Sequence, residues 1–258
     1  MINTTPDSFS DGGLYDTTEK AFRHALQLIE DGADILDVGG ESTRPGSRNV
    51  DLDEELERTV PLIKALREVS DIPISIDTSK PEVMRQAVEA GASLINSIWA
   101  LQQENSLEVA AELDVSVCLM HMQGTPETMQ KNPVYADVVV EVMDFLQQRI
   151  DAAIKAGIGE KNIIVDPGFG FGKTLQHNLL LLKSLHKFKS LGVPLLVGLS
   201  RKSMIGTILD KPVDQRLYGS LSSAVIAAMQ GADIIRVHDV SQSIDAIAVV
   251  DALNQTEA

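Results

Sequence analysis

The segment "IPISIDTSKPEVMRQAVEAGASLINS" (residues 72–97) contains one complete strand–helix–strand unit. Its first apolar run ends at Asp77, and Pro81 then opens a helical pattern at a position that tolerates its fixed φ and missing N–H. Gly91 follows the helix, where a left-handed residue is favoured, and a second apolar run ends at Asn96. This order predicts two parallel strands joined by a helix.

The same order recurs along the chain, with a helical stretch, a glycine, an apolar run and then a polar residue. It is repeated in "IEDGADILDVGG" (29–40), "IKAGIGEKNIIVDPG" (154–168) and "AMQGADIIRVHD" (228–239). We predict seven strands, near residues 34–38, 73–77, 93–97, 115–120, 162–166, 194–198 and 233–237. Regular alternation of strands and helices predicts a parallel sheet, either closed or doubly wound. An eighth strand would end at Met1-Ile2, which predicts an α/β chain of the (β/α)8 TIM-barrel class whose first strand is truncated at the N-terminus.

Composition limits the partners of this chain. The 258 residues carry a net charge of −15, which disfavours nucleic acid or an anionic membrane as a partner. We find no apolar run near the roughly 18 residues of a membrane helix, and no pattern of a signal peptide. The one cysteine, Cys118, permits no disulfide within one chain, so we expect a reducing, cytoplasmic location.

Polar side chains stand at the ends of the predicted strands. They are Asp37, Asp77, Asn96, Asp166, Arg201, Lys202, Arg236 and His238. In (β/α)8 barrels, functional residues come from the strand ends and the loops that follow them. Arg236 and His238 are two residues apart, which puts their side chains on the same side of a strand. Together with Asn3 they could form an anion site.

Four loops add candidates. "DVGGESTRPGS" (37–47) could present backbone amides and Arg44 to an anion, or could be a plain solvated loop. "GLSRKSMIG" (198–206) leads into a helix whose start, near Ser200 or Ser203, favours a carboxylate or phosphate. "DPGFGFGKT" (166–174) departs from the P-loop pattern, and its two phenylalanines indicate an aromatic wall. The fourth loop, "LMHMQGTPETMQ" (119–130), contains His121, which has no His or Cys partner at metal-ligand spacing, so a metal role for it has little support.

Seven motifs resemble the dihydropteroate synthase family, in that family's order and spacing. They are "TPDSFSDGG", "DVGGESTRPG", "SIDTSKPEV", "CLMHMQG", "DPGFGFGK", "LVGLSRKSMIG" and "IIRVHDV", and the resemblance extends from Asn3 to the last helix. It implies a single pterin-binding (β/α)8 barrel domain over residues 1–258. It also implies a Mg²⁺-dependent transferase of folate biosynthesis that condenses 6-hydroxymethyl-7,8-dihydropterin diphosphate with p-aminobenzoate, giving 7,8-dihydropteroate and pyrophosphate. Sulfonamides would be inhibitors, and the protein would be a homodimer.

The resemblance also implies roles for individual residues. The pterin would be bound by Asp77, Asn96, Met120, Asp166, Phe171, Lys202 and Arg236. The diphosphate would be held by Asn3, Thr43, Arg44, Arg236 and His238, with Asn3 as the metal ligand. The p-aminobenzoate would contact Phe9, Thr43, Pro45, Phe171, Lys202 and Ser203. Catalysis would depend on Asp11, Asp77, Lys202 and Arg236, the two carboxylates stabilising a pterin cation after pyrophosphate departs.

Three features depart from the family pattern and keep alternatives open. The first strand is nearly absent, Thr4 stands where an apolar residue is common, and Ser97 stands where Asp is common, with Trp99 shortly after it. One alternative is an inactive pterin-binding paralogue. Another is a corrinoid-linked methyltetrahydrofolate methyltransferase, which would need neither "STRPG" nor "SRKS".

Overall fold

The computed structural model describes residues 1–4, 14–42 and 50–256. Five of the predicted site residues lie outside this range: Phe9, Asp11, Thr43, Arg44 and Pro45. Their predicted roles therefore stay predictions.

The chain divides into two compact units. The first contains Met1–Met120 and Arg149–Ile163, and the second contains His121–Gln148 and Ile164–Ala258. Two elements are divided between the units along the chain, α5 (Val138–Lys155) and β6 (Ile163–Asp166). The predicted single domain over residues 1–258 stays a prediction.

Within the described residues, the first unit has five parallel strands that neighbour one another in chain order. They are β1 (Ile2–Asn3), β2 (Leu36–Gly39), β3 (Ile74–Asp77), β4 (Leu94–Ser97) and β5 (Ser116–Met120). The helices of this unit are α1 (Leu14–Glu30), α2 (Leu52–Arg67), α3 (Pro81–Glu89) and α4 (Ser106–Leu113). The strands are buried almost throughout, as expected for parallel strands covered on both faces.

The second unit repeats the alternation. It contains β7 (Leu196–Val197), β8 (Ile234–Ile235), α6 (Leu175–Lys183), α7 (Ser203–Leu209), α8 (Leu217–Met229) and α9 (Val240–Asn254). Val165 of β6 forms a parallel bridge with Leu195, and Leu196 of β7 pairs with Ile234 of β8. Short 3-10 helices of this unit lie at Leu185–Leu191 and Val213–Gln215, and another lies at Glu160–Asn162 in the first unit. Among the described residues no helix is both long enough and apolar enough to cross a membrane.

The repeated glycines behave as predicted. Gly32, Gly91, Gly157 and Gly231 follow helices with φ of +96°, +115°, +105° and +94°, the left-handed region that ends a helix. Pro81 is the first residue of α3. These local signals depend only on neighbouring residues, which is why the sequence reveals them.

Some boundaries differ from those predicted. The sequence "VYADVVVEVMDFLQQRIDAAIKA" (134–156) predicts one long helix. The helix α5 begins only at Val138, because Asp137 Oδ1 accepts the backbone N–H groups of Val139 at 2.9 Å and Val140 at 3.2 Å. Such a side-chain cap fixes the start of a helix. The strand predicted over 233–237 contains two residues, Ile234 and Ile235, although the backbone N–H of Arg236 still donates to the Val197 carbonyl at 2.9 Å.

Candidate active site

Three predicted site residues of the first unit follow one another across neighbouring strands. Asn3 pairs with Gly39, Gly39 with Asp77, and Asp77 with Asn96. A Cβ at Gly39 would lie 3.9 Å from Asn3 Oδ1 and 3.5 Å from Asp77 Cβ. Glycine therefore keeps open the space between these two side chains. Asp37 was expected at a strand end, but β2 continues to Gly39, so Asp37 lies inside the strand.

Ser97 closes the turn that follows β4. Its Oγ accepts the backbone N–H of Leu101 at 3.1 Å, and Ala100 and Leu101 both have positive φ. The Arg149 guanidinium donates to the carbonyls of Ala100 at 2.9 Å and Leu101 at 3.2 Å. The serine at this position is therefore satisfied within its own turn.

Asp166 ends β6 in the second unit and is almost fully buried. Its Oδ1 accepts the backbone N–H of Gly168 at 2.7 Å. Burial raises the pKa of the Asp166 carboxyl, while the charges of Lys202 and Arg236 and the Gly168 hydrogen bond act in the opposite direction. The hydrogen bond from Gly168 therefore holds the Asp166 carboxyl group in place as an acceptor.

Lys202 lies immediately before α7, with its ammonium 4.8 Å from the centroid of the Phe171 ring. This geometry is a cation–π contact, and the same ammonium donates to the Phe169 carbonyl. Burial lowers the pKa of Lys202 to about 8, with Asp166 opposing this shift and Arg236 adding to it. Lys202 therefore carries its charge at neutral pH and loses it in mildly alkaline solution.

The loop between β6 and α6 brings these groups together. Gly168, Gly170 and Gly172 all have positive φ, between +63° and +82°. Phe171 is partly exposed beneath Lys202, whereas Phe169 is completely buried in the core. The aromatic wall predicted from the sequence is therefore available from Phe171 alone.

A second lysine, Lys173, lies beneath this loop, and the sequence analysis assigned it no role. Lys173 is 3% exposed, and its Nζ is 2.9 Å from His121 Nδ1 and 2.9 Å from each of the Gly168 and Phe171 carbonyl oxygens. Burial, and then the Lys173 charge, lower the pKa of His121 to about 3, so His121 is neutral at pH 7. A lysine directly after a glycine-rich turn was the available signal, but only the fold shows what it contacts.

The residues after β8 have different charge states. His238 Nδ1 is 2.9 Å from Ser200 Oγ, and burial together with Arg236 and Arg201 lowers the pKa of His238 to about 4. His238 can therefore offer a hydrogen bond at pH 7 but no charge. Arg201 forms a two-point ion pair with Asp239, so its charge is matched within the chain. The role of Arg236 at the diphosphate stays a prediction.

The remaining described candidates occupy the ends of elements. Met120 ends β5 and is buried, and Ser203 is the exposed first residue of α7. Asn3, the predicted metal ligand, ends β1 and is partly exposed. No group of three His, Cys, Asp or Glu side chains within the described ranges is arranged to hold a metal ion.

The sequence of this chain is similar to those of known proteins. Residues 1–238 match the family model described as pterin binding enzyme. The dihydropteroate synthase of Haemophilus influenzae is 52% identical over 252 residues, which cover 98% of this chain and 92% of that relative. The chain belongs to the dihydropteroate synthase family.

Solved structures of the dihydropteroate synthase family have the same fold as this chain. The Yersinia pestis enzyme in a sulfonamide drug complex has a TM-score of 0.95 and 48% identity, covering 99% of this chain and 93% of that one. The Xanthomonas albilineans enzyme with 4-aminobenzoic acid has a TM-score of 0.94 and 49% identity, covering 99% and 92%. The predicted fold class, (β/α)8 TIM barrel, and the predicted family are confirmed. The individual roles of the site residues stay predictions.

Proposed function

We propose that this protein joins 6-hydroxymethyl-7,8-dihydropterin diphosphate to p-aminobenzoate, forming 7,8-dihydropteroate and releasing pyrophosphate. One observation carries the proposal: Asp166, Lys202, Phe171 and Arg236 are grouped within the second unit. This group combines a buried acceptor, two cations and a partly exposed ring. The membership of this chain in the dihydropteroate synthase family independently supports the same reaction.

The chemistry of this group suits a pterin. The amino-pyrimidinone edge of a pterin presents adjacent N–H donors, for which a carboxylate such as Asp166 is the natural acceptor. A carbonyl or ring nitrogen of the pterin would accept from Lys202, and Phe171 offers a flat apolar surface. Asp77 and Asn96 of the first unit, with Met120, keep their predicted pterin contacts as part of this proposal.

The second substrate is an aryl amine with a carboxylate. The X. albilineans relative has been solved with 4-aminobenzoic acid, which supports the same substrate class here. Ser203 presents an exposed hydroxyl at the first residue of α7, and Lys202 precedes it. We assign the substrate carboxylate to Ser203, with Lys202 and Phe171 nearby in the chain's second unit.

The proposed reaction is dissociative. The bond between the pterin methylene carbon and the diphosphate oxygen breaks, and the electron pair leaves with pyrophosphate. Arg236 supplies positive charge and His238 a hydrogen bond to the departing anion, while Asp77 and Asp11 stabilise the pterin cation. The neutral aryl amine then attacks and releases its proton to solvent. Catalysis would rest mainly on positioning and electrostatics, since no strong general base is required.

The Asn3 amide oxygen is a type of ligand that Mg²⁺ accepts. This ion prefers oxygen ligands, keeps several waters and is commonly held by one or two protein oxygens together with substrate phosphates. The Asn3 amide oxygen borders the space left by Gly39, which agrees with such a shared site. Asn3 would hold the ion, and the ion would neutralise charge on the diphosphate when bound.

Incubation with pterin diphosphate, Mg²⁺ and p-aminobenzoate tests the proposal. We expect dihydropteroate and pyrophosphate in equal amounts, and their absence at high protein concentration would overturn it.

Asp166→Asn replaces one acceptor oxygen with a donor, so pterin affinity should fall at least about tenfold. Asp71→Asn makes the same change at an exposed position and should leave the affinity unaltered. Unchanged affinity in Asp166→Asn would remove Asp166 from the pterin site.

Three finer proposals follow from family membership. We propose sulfonamide inhibition, since the Y. pestis relative was solved with such a drug, and competition with p-aminobenzoate would test it. We propose a homodimer, for which α8 and α9 offer exposed apolar side chains, among them Tyr218, Met229 and Val249. We propose a cytoplasmic location, in keeping with a single cysteine that is buried in β5.

A further inference from the structure

Lys173 is a buried amine that the proposed mechanism leaves unused. Its side chain is almost inaccessible, and no carboxylate is within ion-pair distance of its amine among the described residues. Burying an amine in this way costs free energy unless its hydrogen bonds are satisfied. The contacts of Nζ therefore indicate what the residue does.

The amine of Lys173 is surrounded by acceptors. Three contacts measure 2.9 Å, to His121 Nδ1, Gly168 O and Phe171 O, and a fourth to His121 O measures 3.4 Å. Burial lowers the pKa of Lys173 well below its usual value, with the Asp166 charge opposing this shift, so the amine is stabilised by these hydrogen bonds and not by an ion pair. The amine thus connects the turn at two points, Gly168 and Phe171, with His121.

His121 is held in place to receive this hydrogen bond. Its backbone N–H donates to the Asp166 carbonyl at 2.9 Å, and its ring meets Phe145 edge-on at a centroid distance of 4.9 Å. The Lys173 amine and His121 Nδ1 share a hydrogen bond whose donor depends on the tautomer of the ring. The imidazole is therefore a fixed hydrogen-bond partner for Lys173.

The turn secured by this pair carries the proposed pterin groups. The Gly168 carbonyl accepts from Lys173, and the Gly168 N–H donates to the Asp166 carboxylate, so Gly168 links Lys173 to Asp166. Phe171 gives its carbonyl to Lys173, and its ring lies beneath the Lys202 ammonium. We propose that Lys173 and His121 are positioning residues, which fix the turn 168–171 and thereby set the Asp166 carboxylate and the Phe171 ring for the pterin substrate.

This inference rests on the proposed function for its kinetic readout, and four variants test it. Lys173→Met keeps the length of the side chain but removes every donor. His121→Leu removes the ring nitrogen that pairs with Lys173, whereas His121→Asn places a polar amide group close to the position of Nδ1. Lys183→Met makes the same change as Lys173→Met at an exposed position of α6 and serves as the control.

We expect Lys173→Met and His121→Leu to raise KM for pterin diphosphate at least about tenfold while KM for p-aminobenzoate changes less than about twofold. His121→Asn should stay within about threefold of the wild type, and Lys183→Met should match it. A purely structural role would instead lower the thermal midpoint and worsen both KM values together, without rescue by His121→Asn. That pattern, or an unchanged pterin KM in folded His121→Leu, would overturn the inference.

Calorimetric titration with pterin diphosphate alone separates the two proposals. Wild-type binding without any turnover would count against the proposed function, and the variants could still be ranked by Kd. We then expect the same order in Kd, with Lys173→Met and His121→Leu weakened about tenfold and His121→Asn close to wild type. Equal Kd values for all of the variants would reject the positioning role, whatever the activity.

Discussion

At the scale of single residues, the environment of each charged group decides what it can contribute. Lys202 and His238 both follow predicted strands, yet burial lowers the pKa of the first to about 8 and of the second to about 4. At neutral pH Lys202 is therefore a cation and His238 a neutral hydrogen-bonding group. The sequence does not reveal these charge states, because both pKa values depend on burial and on residues distant in the chain.

The pKa of Lys202 predicts a pH dependence of pterin binding. The charged ammonium is present below about pH 8 and disappears as the pH rises through that value. Affinity for pterin diphosphate should therefore be constant from pH 6.5 to 7.5 and should fall by up to about tenfold per pH unit above 8. Calorimetric titration across this range measures it. Lys202→Arg keeps its charge throughout and should show no such fall, and a flat wild-type profile up to pH 9.5 would contradict the assignment.

Ser203 predicts a difference between the two substrates. Ser203→Ala removes a hydroxyl donor from the carboxylate of p-aminobenzoate, so KM for that substrate should rise about tenfold, corresponding to roughly 1.4 kcal/mol for a hydrogen bond to a charged group. KM for pterin diphosphate should change less than about twofold. Steady-state kinetics with each substrate varied in turn checks this, with the exposed Ser190→Ala as the control. Equal losses for both substrates would argue against the assignment of Ser203.

At the scale of elements, the loop from β6 to α6 is defined by distant contacts. Tyr135 donates its hydroxyl to the Gly172 carbonyl at 2.8 Å, and Asn178 Oδ1 accepts the Gly170 N–H at 2.7 Å. A Cβ at Gly172 would lie 2.5 Å from the Gln123 carbonyl oxygen. The loop and the segment after β5 therefore fit together only because residue 172 has no side chain.

Gly172→Ala tests this close approach. The alanine would combine an unfavourable φ of +63° with a clash against backbone, so we expect a loss of about 2–4 kcal/mol in the free energy of unfolding. Gly192→Ala is the matched control, since its φ is +75° but nothing lies within 4 Å of the added Cβ. It should cost about 1 kcal/mol, the strain of a left-handed residue alone. Denaturant unfolding measures both, and equal losses would mean that the contact with Gln123 does not matter.

At the scale of the whole molecule, the second unit leaves apolar side chains uncovered. Tyr218 and Met229 of α8 are 77% and 60% exposed, and Val249 and Leu253 of α9 are 71% and 60% exposed. The two helices pack against each other, which brings these side chains onto adjoining elements. Apolar patches of this kind commonly mark an interface between protein chains.

The proposed homodimer predicts a mass of about twice the 27.9 kDa of one chain at micromolar concentration. Replacing both Met229 and Val249 with Glu would place charges in the proposed interface and should give a monomer. Sedimentation equilibrium measures the mass. Val69→Glu introduces the same charge at another exposed apolar side chain and should leave the dimer intact. A monomeric wild type, or a dimer unaffected by the double substitution, would reject this interface.

The sequence by itself determined the succession of strands and helices, the left-handed glycines that end the helices, and the polar residues that follow the strands. These features depend on periodicity and on the preferences of neighbouring residues, so they can be seen without coordinates. Only the tertiary structure decided that Lys173 contacts His121 across 52 residues of chain, and that Arg201 is paired with Asp239 across 38 residues. Burial of Lys202 in the folded chain lowers its pKa to about 8, which the sequence does not reveal. Charge state and hydrogen-bond partners are set by burial and by distant groups, and those are properties of the folded chain.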